Sequence, residues 1–392
     1  NAFEWRFAFP EVLDSNGDFL GFDLVIGNPP YGVELTKSQR EQYKSIYKIS
    51  NTDTAALFIL KSDSILAKNG INSLIVPKAL TFASNWNQVR DFIKPTFFLL
   101  TDCGKAWSYV LLEMVIFARQ KGMQHTTYHT RFLQDDTYIE SKETIQDSIM
   151  EIDKKFIDLF DFIPNNLSQE ELDIGVKIKI DSEMLEKYSK NYRGITYQKH
   201  LKEKGKYPFI GGKEINKYGI RGYKGFADNI SQFTDNTFIQ DNSLLVQNIV
   251  AHIQNPTPHI KITAMLPKSK KVYLLDTINQ IIFSRIEAKF MWAILNSVLI
   301  NWYVYRFIFA KAIRTMHFDS PITKRIPIPK ITKSNQKIID RIIALVDEIL
   351  ESKAKDSTTN TSNLESEIDK LVYELYNLSN EEINIIENKE QK

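Results

Sequence analysis

The chain has almost no cysteine. Cys103 is the only one in 392 residues, so an intrachain disulfide framework is excluded and a reducing, cytoplasmic setting is expected. Long apolar runs are missing as well. The longest uncharged one, Met291 to Tyr305, falls short of the ~20 residues that cross a bilayer, so no membrane partner is expected. The first residues show no basic segment followed by an apolar one, and no secretion signal is expected. The six histidines (125, 129, 200, 252, 259 and 317) lack metal-ligand spacing with a cysteine pair or with acidic residues, so no metal site is read. Glu140-Ser141-Lys142 and Glu351-Ser352-Lys353 carry an acidic-x-lysine pattern, but no acidic strand accompanies either, so neither is read as a nuclease site. There is no internal repeat.

What is present suits a folded chain of two or three domains, with 43% hydrophobic residues to bury. The net charge of +2 conceals segregation. Residues 131–186 hold 15 acidic and 6 basic side chains, whereas 187–226 hold 11 basic and 2 acidic ones, interleaved with eight aromatics and seven glycines. The acidic block suits a solvated face. The basic block is a candidate surface for a polyanion. In it Lys199, Lys202, Lys204, Lys206, Lys213, Lys217, Arg221 and Lys224 could meet phosphates, and the forked guanidinium of Arg193 or Arg221 could read guanine edges. Lys268-Ser269-Lys270-Lys271 forms a second basic patch.

Hydrophobic periodicity divides the chain. Phe22 to Gly27 is continuous and apolar and reads as a buried parallel strand. Asp53 to Lys68 has helical spacing and is followed by Gly70 as a stop. Ile71 to Pro77 reads as a strand. Ser84 is placed to cap a helix over Trp86 to Ile93. Phe97 to Thr101 and Val110 to Ala118 read as two more strands, expected as an antiparallel edge hairpin on a mainly parallel sheet. The expected organisation is an α/β catalytic half over 1–125, an acidic connection over 126–186, an α+β second domain over 187–330 and C-terminal helices over 331–392. Within these, Ala288 to Phe309 reads as one buried helix, Ile326-Pro327-Ile328-Pro329 as extended, and Lys333 to Lys353 as an amphipathic helix.

The densest chemistry is Asn28-Pro29-Pro30-Tyr31, at the end of the first strand. Asn-Pro is a common turn dipeptide, but an apolar strand precedes this one and an α/β series follows. Two successive prolines stiffen the loop, so less entropy is lost when it grips a ligand. The Asn28 side-chain carbonyl and the Pro29 backbone carbonyl could accept the two N–H bonds of an amine on a heteroaromatic ring, such as adenine, and shift its nitrogen toward tetrahedral geometry. Tyr31 offers a stacking face worth roughly 1–3 kcal/mol per base.

Phe22 to Tyr31 resembles the catalytic motif of adenine-N6 DNA methyltransferases from restriction–modification systems. Phe3 to Val12 resembles the segment before that motif in the large fused (type IIG-like) enzymes. Tyr207 to Tyr218 resembles the start of their target-recognition domain, and Ala293 to Ser297, Met316 to Phe318 and Ile326 to Pro329 resemble its C-terminal part. The resemblance implies half of a Rossmann-like methyltransferase sheet followed by a target-recognition domain. It implies S-adenosylmethionine as cofactor and double-stranded DNA as substrate, with the base flipped out of the duplex. It also implies that Trp107 is a second aromatic wall. The family's glycine-rich cofactor loop and ribose-holding acidic residue lie upstream of the motif, and residues 1–27 contain neither. The expectation is therefore a C-terminal fragment that lacks most of the cofactor site, is inactive alone and pairs with the upstream half of the same polypeptide.

Two other classes compete. In a DNA-binding specificity module the α/β part is only a scaffold, and Asn28→Ala changes nothing. A methyltransferase for another planar amine, such as a protein glutamine, has no need of a large basic, aromatic-rich domain. Cytosine-N4 enzymes more often carry serine at the first motif position, so Asn28 favours adenine.

Overall fold

β1 (Phe22–Gly27) forms where an unbroken apolar run meets a neighbour of the same direction, β2 (Leu66–Pro77), with Leu24 opposite Ile71 and Gly27 opposite Leu74. The computed structural model describes residues 4–107, 112–133, 149–314 and 316–388. It divides into two units, residues 1–168 with 309–312 and residues 169–308 with 313–392.

The first unit is built on a six-stranded sheet of order β1-β2-β4-β3-β5-β6, where β3 is Phe97–Lys105, β4 Glu113–Gln120, β5 Thr127–Phe132 and β6 Met150–Asp153. β1 with β2 and β3 with β5 are parallel, and the other three pairs are antiparallel. The expected β3–β4 hairpin exists but is not an edge. β4 lies between β2 and β3 because it is apolar on both faces, burying Met114, Val115, Phe117 and Ala118. An edge would leave such a strand half in water.

Helices Thr54–Ile65 and Asn87–Ile93 cover one face, packing Ala55, Ala56, Ile59, Val89 and Ile93 on Leu74, Val76 and Phe117. Asp53 caps the first through the Ala55 N–H at 2.9 Å. That helix ends at Ile65 and the chain turns directly into β2. Gly70 is therefore a strand residue, not a helix stop. It is needed because a Cβ there would lie 2.9 Å from the Phe22 carbonyl oxygen. Ser84 opens a short 3₁₀ turn without capping it. β1 departs from the buried strand expected of it. Among the described residues it has one neighbour, and Leu24 and Ile26 stand on the face away from the two helices, 56% and 74% exposed.

The stretch expected as an acidic connection contributes β5 and β6 to this sheet, and Tyr128 and Ile152 reach its core. Its polar groups occupy the alternate, outward positions, such as exposed His129 and Glu151. Composition alone thus hid a strand pair. The rest of the stretch includes helix Gln169–Asp181, which belongs to the second unit. Residues 134–148 lie outside the described residues, as do 108–111 at the start expected for β4.

The second unit holds a four-stranded antiparallel sheet of Ala264–Met265, Ser243–Gln247, Ile278–Phe283 and Ser189–Arg193, in that order. A smaller sheet sets Tyr207–Ile210 between Gly225–Ala227 and Tyr273–Leu274. The apolar run 288–309 forms two helices rather than one, Ala288–Asn296 and Val298–Phe307. Ser297 between them is extended, and its hydroxyl accepts the Ile300 N–H at 3.2 Å, capping the second helix. Gly175 lets the Phe307 ring lie directly on helix Gln169–Asp181, where a Cβ would fall 2.0 Å from the ring. Helix Gln336–Lys355 buries Ile339, Ile342, Leu345, Val346 and Ile349 on the face its spacing predicts. It packs on Ala288–Asn296, so residues 331–392 are part of this unit. Among the described residues no helix is long and apolar enough to cross a membrane.

Candidate functional site

The parallel strands β1, β2 and β3 all end on one edge of the sheet, the edge where ligands bind in open α/β sheets. Asn28-Pro29-Pro30-Tyr31 leaves β1 there. Pro29 is buried, Asn28 and Pro30 are exposed, and Tyr31 is half-buried. The loop is pinned from below: the Thr54 hydroxyl, on the first residue of helix Thr54–Ile65, donates to the Pro30 carbonyl at 2.7 Å. Asn51 holds the helix entry in turn, its side-chain oxygen accepting the Asp53 N–H at 2.8 Å. A stiff loop tied to a helix start keeps the Asn28 amide at a fixed distance from the strand end.

Tyr31 packs against a small cluster of Cys103, Ala106, Met114 and Leu133, and Trp107 packs against the same cluster. The structure thus brings together two aromatics separated by 76 positions in the sequence. Trp107, like Tyr31, is half-buried, so each ring keeps a free portion.

Sequence reasoning missed a buried charged group at the same ends of β2 and β3. Lys78 follows the last residue of β2, and its ammonium lies 2.8 Å from the Asp102 carboxylate of β3 and 3.5 Å from the Glu113 carboxylate of β4. The Asp102 approach is an ion contact without hydrogen-bond alignment. All three side chains are nearly or fully buried, at 3%, 0% and 8% exposure. The other Asp102 oxygen accepts the Gly104 N–H at 3.0 Å, which fixes the turn leading to Trp107. The available signal was opposite charge at the ends of apolar strands, where an unpaired charge would be too costly to bury.

In the second unit the basic candidates do not behave alike. Lys213, Arg221 and Lys224 are exposed. Arg193 is exposed too, but its Nε donates to the Asp276 carbonyl at 2.6 Å. Lys217 departs from the expected phosphate contact. Its ammonium is 2.5 Å from Glu365 on helix Ser362–Leu375, and the Tyr218 hydroxyl donates to the same carboxylate. Burial alone would push the Lys217 ammonium down and the Glu365 carboxyl up. Their ion pair, reinforced by Tyr218, prevails, so Lys217 is raised and Glu365 lowered. Three of the eight aromatics of the basic block belong to an apolar cluster: buried Phe209 and half-buried Tyr197 and Tyr207 pack with Phe233, Phe238 and Tyr273. Tyr223 is 54% exposed.

Residues 1–98 match the Eco57I restriction-modification methylase family. A protein of Methanocaldococcus jannaschii named as a type II restriction enzyme and methyltransferase is 22% identical over 407 aligned residues, spanning 95% of this chain and 32% of its own length. Among solved structures, the Type IIL restriction-modification enzyme MmeI, in complex with DNA, has a TM-score of 0.56 at 13% identity, over 93% of this chain and 56% of that one. The second likeness is one of fold. The chain spans about a third and about half of the lengths of these two relatives. The resemblance read from the sequence to a restriction–modification methylase therefore stands, and the residues that match that family lie in the first unit.

Proposed function

We propose that this chain supplies the catalytic loop and the DNA-reading domain of an adenine-N6 DNA methyltransferase in a restriction–modification system. The observation that carries the reading is the meeting of Asn28-Pro29-Pro30-Tyr31 and Trp107 at one end of the sheet, around a shared apolar cluster. Asn28 Oδ1 and the Pro29 carbonyl accept the two N–H bonds of the adenine amine, drawing its lone pair out of conjugation. Tyr31 and Trp107 stack on the base, and this stacking helps offset the few kcal/mol spent in unpairing it. The Thr54–Pro30 bond keeps the acceptors in place, so the amine is held in a near-attack position.

When bound, S-adenosylmethionine supplies the electrophilic methyl group. Of this chain's residues, those beside Asn28 fit one wall of its site. Most of the site is contributed by the upstream half of the same polypeptide, which pairs with the free edge of β1 and covers Leu24 and Ile26. This chain alone is then inactive. Double-stranded DNA lies along the second unit on Arg193, Lys213, Arg221 and Lys224, while Lys217 acts indirectly by holding its turn.

Single-turnover methyl transfer by the intact protein tests the reading. Asn28→Ala should lower the rate by a factor of about 100 or more, by analogy with loss of one preorganised polar contact, with the melting temperature unchanged. A rate near wild type would instead leave a DNA-binding specificity module. Calorimetry should show micromolar S-adenosylmethionine binding only with the upstream half present.

A further inference from the structure

The second unit contains a cavity of about 290 Å³ lined by Asn216, Arg221, Gln247, Lys261 and Thr263, with Lys217 and Tyr218 at its base. The hydrogen bonds around it fix which polar atoms it presents. Asn216 Oδ1 accepts the backbone N–H groups of Tyr218 and Gly219, at 2.7 and 3.1 Å. Its amide nitrogen is left to donate. Gln247 is oriented the opposite way: its Nε2 donates to the carbonyls of Gly212 and Ile215, at 2.5 and 3.4 Å. Its carbonyl oxygen is left to accept. Because these partners are backbone donors in one case and backbone acceptors in the other, neither amide can flip without losing two bonds. Arg221 and Lys261 are exposed, and neither side chain has a hydrogen-bond or ion-pair partner among the described residues.

The walls of the cavity are rigid. The turn between Ile215–Asn216 and Gly219–Ile220 is held by the Trp292 indole, which donates to the Lys217 carbonyl at 2.8 Å, and by Glu365 on the Lys217 ammonium at 2.5 Å. The Gln247 N–H donates to the Thr263 carbonyl at 3.1 Å, tying the opposite wall. A rigid concave site with a fixed acceptor, a fixed donor and two free cations is preorganised for a polar, anionic ligand.

Resting on the DNA reading above, we propose that this cavity is a base-reading subsite for one guanine–cytosine pair. Arg221 forks onto the two adjacent acceptors of guanine, and the Gln247 carbonyl accepts the exocyclic amine of cytosine. Lys261 meets a flanking phosphate and contributes affinity without sequence preference. The cavity's acceptor beside a guanidinium matches the acceptor–acceptor–donor order of that pair in the major groove. An adenine–thymine pair interposes a donor between its acceptors, which the fork of Arg221 cannot meet.

Selection from random duplexes with the intact protein tests this, in parallel with labelled methyl transfer. In Arg221→Ala one position that reads guanine in the wild-type motif should become degenerate, losing roughly 10- to 100-fold preference, while the other positions are kept. Lys261→Ala should weaken all sequences alike and reduce the slope of log affinity against log salt by about one. Both side chains are exposed, so thermal melts should match wild type. A motif unchanged in Arg221→Ala would overturn the subsite and leave the DNA reading intact. So would a uniform loss of affinity in that variant with no position relaxed. A wild-type protein that neither selects nor methylates DNA would overturn both.

Discussion

Replacing Lys78 by methionine removes a cation that lies between two buried carboxylates. The side chains of Lys78, Asp102 and Glu113 are 3%, 0% and 8% exposed, and the ammonium lies 2.8 and 3.5 Å from the carboxylates. Methionine keeps the volume of the lysine stem, so the cavity term is small and the loss is electrostatic. Removing one partner of a buried ion pair costs about 3–5 kcal/mol because the remaining charge stays desolvated. For a unit of this size each kcal/mol lowers the midpoint by roughly 2–4 °C, so a fall of about 6–20 °C is expected. A double-mutant cycle isolates the cause: Lys78→Met with Asp102→Leu should recover part of the loss, since one of the two uncompensated carboxylates is removed while Glu113 stays buried. Thermal denaturation followed by circular dichroism reads both. The functional signature is separate. Asp102 accepts the Gly104 N–H, so both single variants should loosen the turn before Trp107 and weaken binding of the flipped base. A midpoint within a degree or two of wild type in Lys78→Met, or strict additivity in the cycle, would refute the argument that this group is a coupled, desolvated network.

Other expectations concern single side chains. Trp107→Ala should raise the apparent KM for DNA by roughly 5- to 100-fold, as for loss of one base–aromatic stack, while Trp107→Phe recovers most of it; steady-state kinetics with the intact protein decide. Lys217→Ala should lower the melting temperature and leave the salt slope of DNA affinity untouched, because its ammonium is held by Glu365. Lys213→Ala should do the reverse, reducing the slope by about one. Asp369 accepts the Val298 N–H and is raised to about 6, first by burial and further by Glu387 and Glu365. A carboxyl raised in the folded state binds its proton more tightly there, so stability from this group is greatest at low pH and falls as pH rises from about 4 to about 6. Asp369→Asn keeps the acceptor, and denaturant titrations should show that dependence flattened in the variant.

Much of the first unit was legible because its signals are local. An apolar run ending in Asn28-Pro29-Pro30-Tyr31 marks a strand and its loop, and the spacing from Asp53 marks a helix, though not its end at Ile65. The sequence could not reveal strand order, since insertion of β4 between β2 and β3 is settled by packing on both faces rather than by chain order. Nor could it reveal that β1 lies at an edge, because an apolar strand reads alike whether or not a second neighbour covers it. β5 and β6 were hidden by averaging: outward His129 and Glu151 dominate the composition, whereas inward Tyr128 and Ile152 set the structure. Ser297 sits in a run apolar on either side, and only its extended backbone marks the break between two helices. At the candidate site, motif and order single out Asn28, Tyr31 and Trp107 as candidates, but nothing in the sequence joins Lys78, Asp102 and Glu113. Their meaning lies in a contact across three strands, as the restraint on Lys217 lies in a contact 148 residues away.

The most direct test of the central claim follows labelled methyl from S-adenosylmethionine into duplex DNA with the intact protein, and identifies the modified nucleoside after digestion. The account predicts label in N6-methyladenine, abolished by Asn28→Ala in a protein that still melts and binds DNA as wild type does. Label in N4-methylcytosine, label in protein, or tight DNA binding with no transfer at all would contradict it.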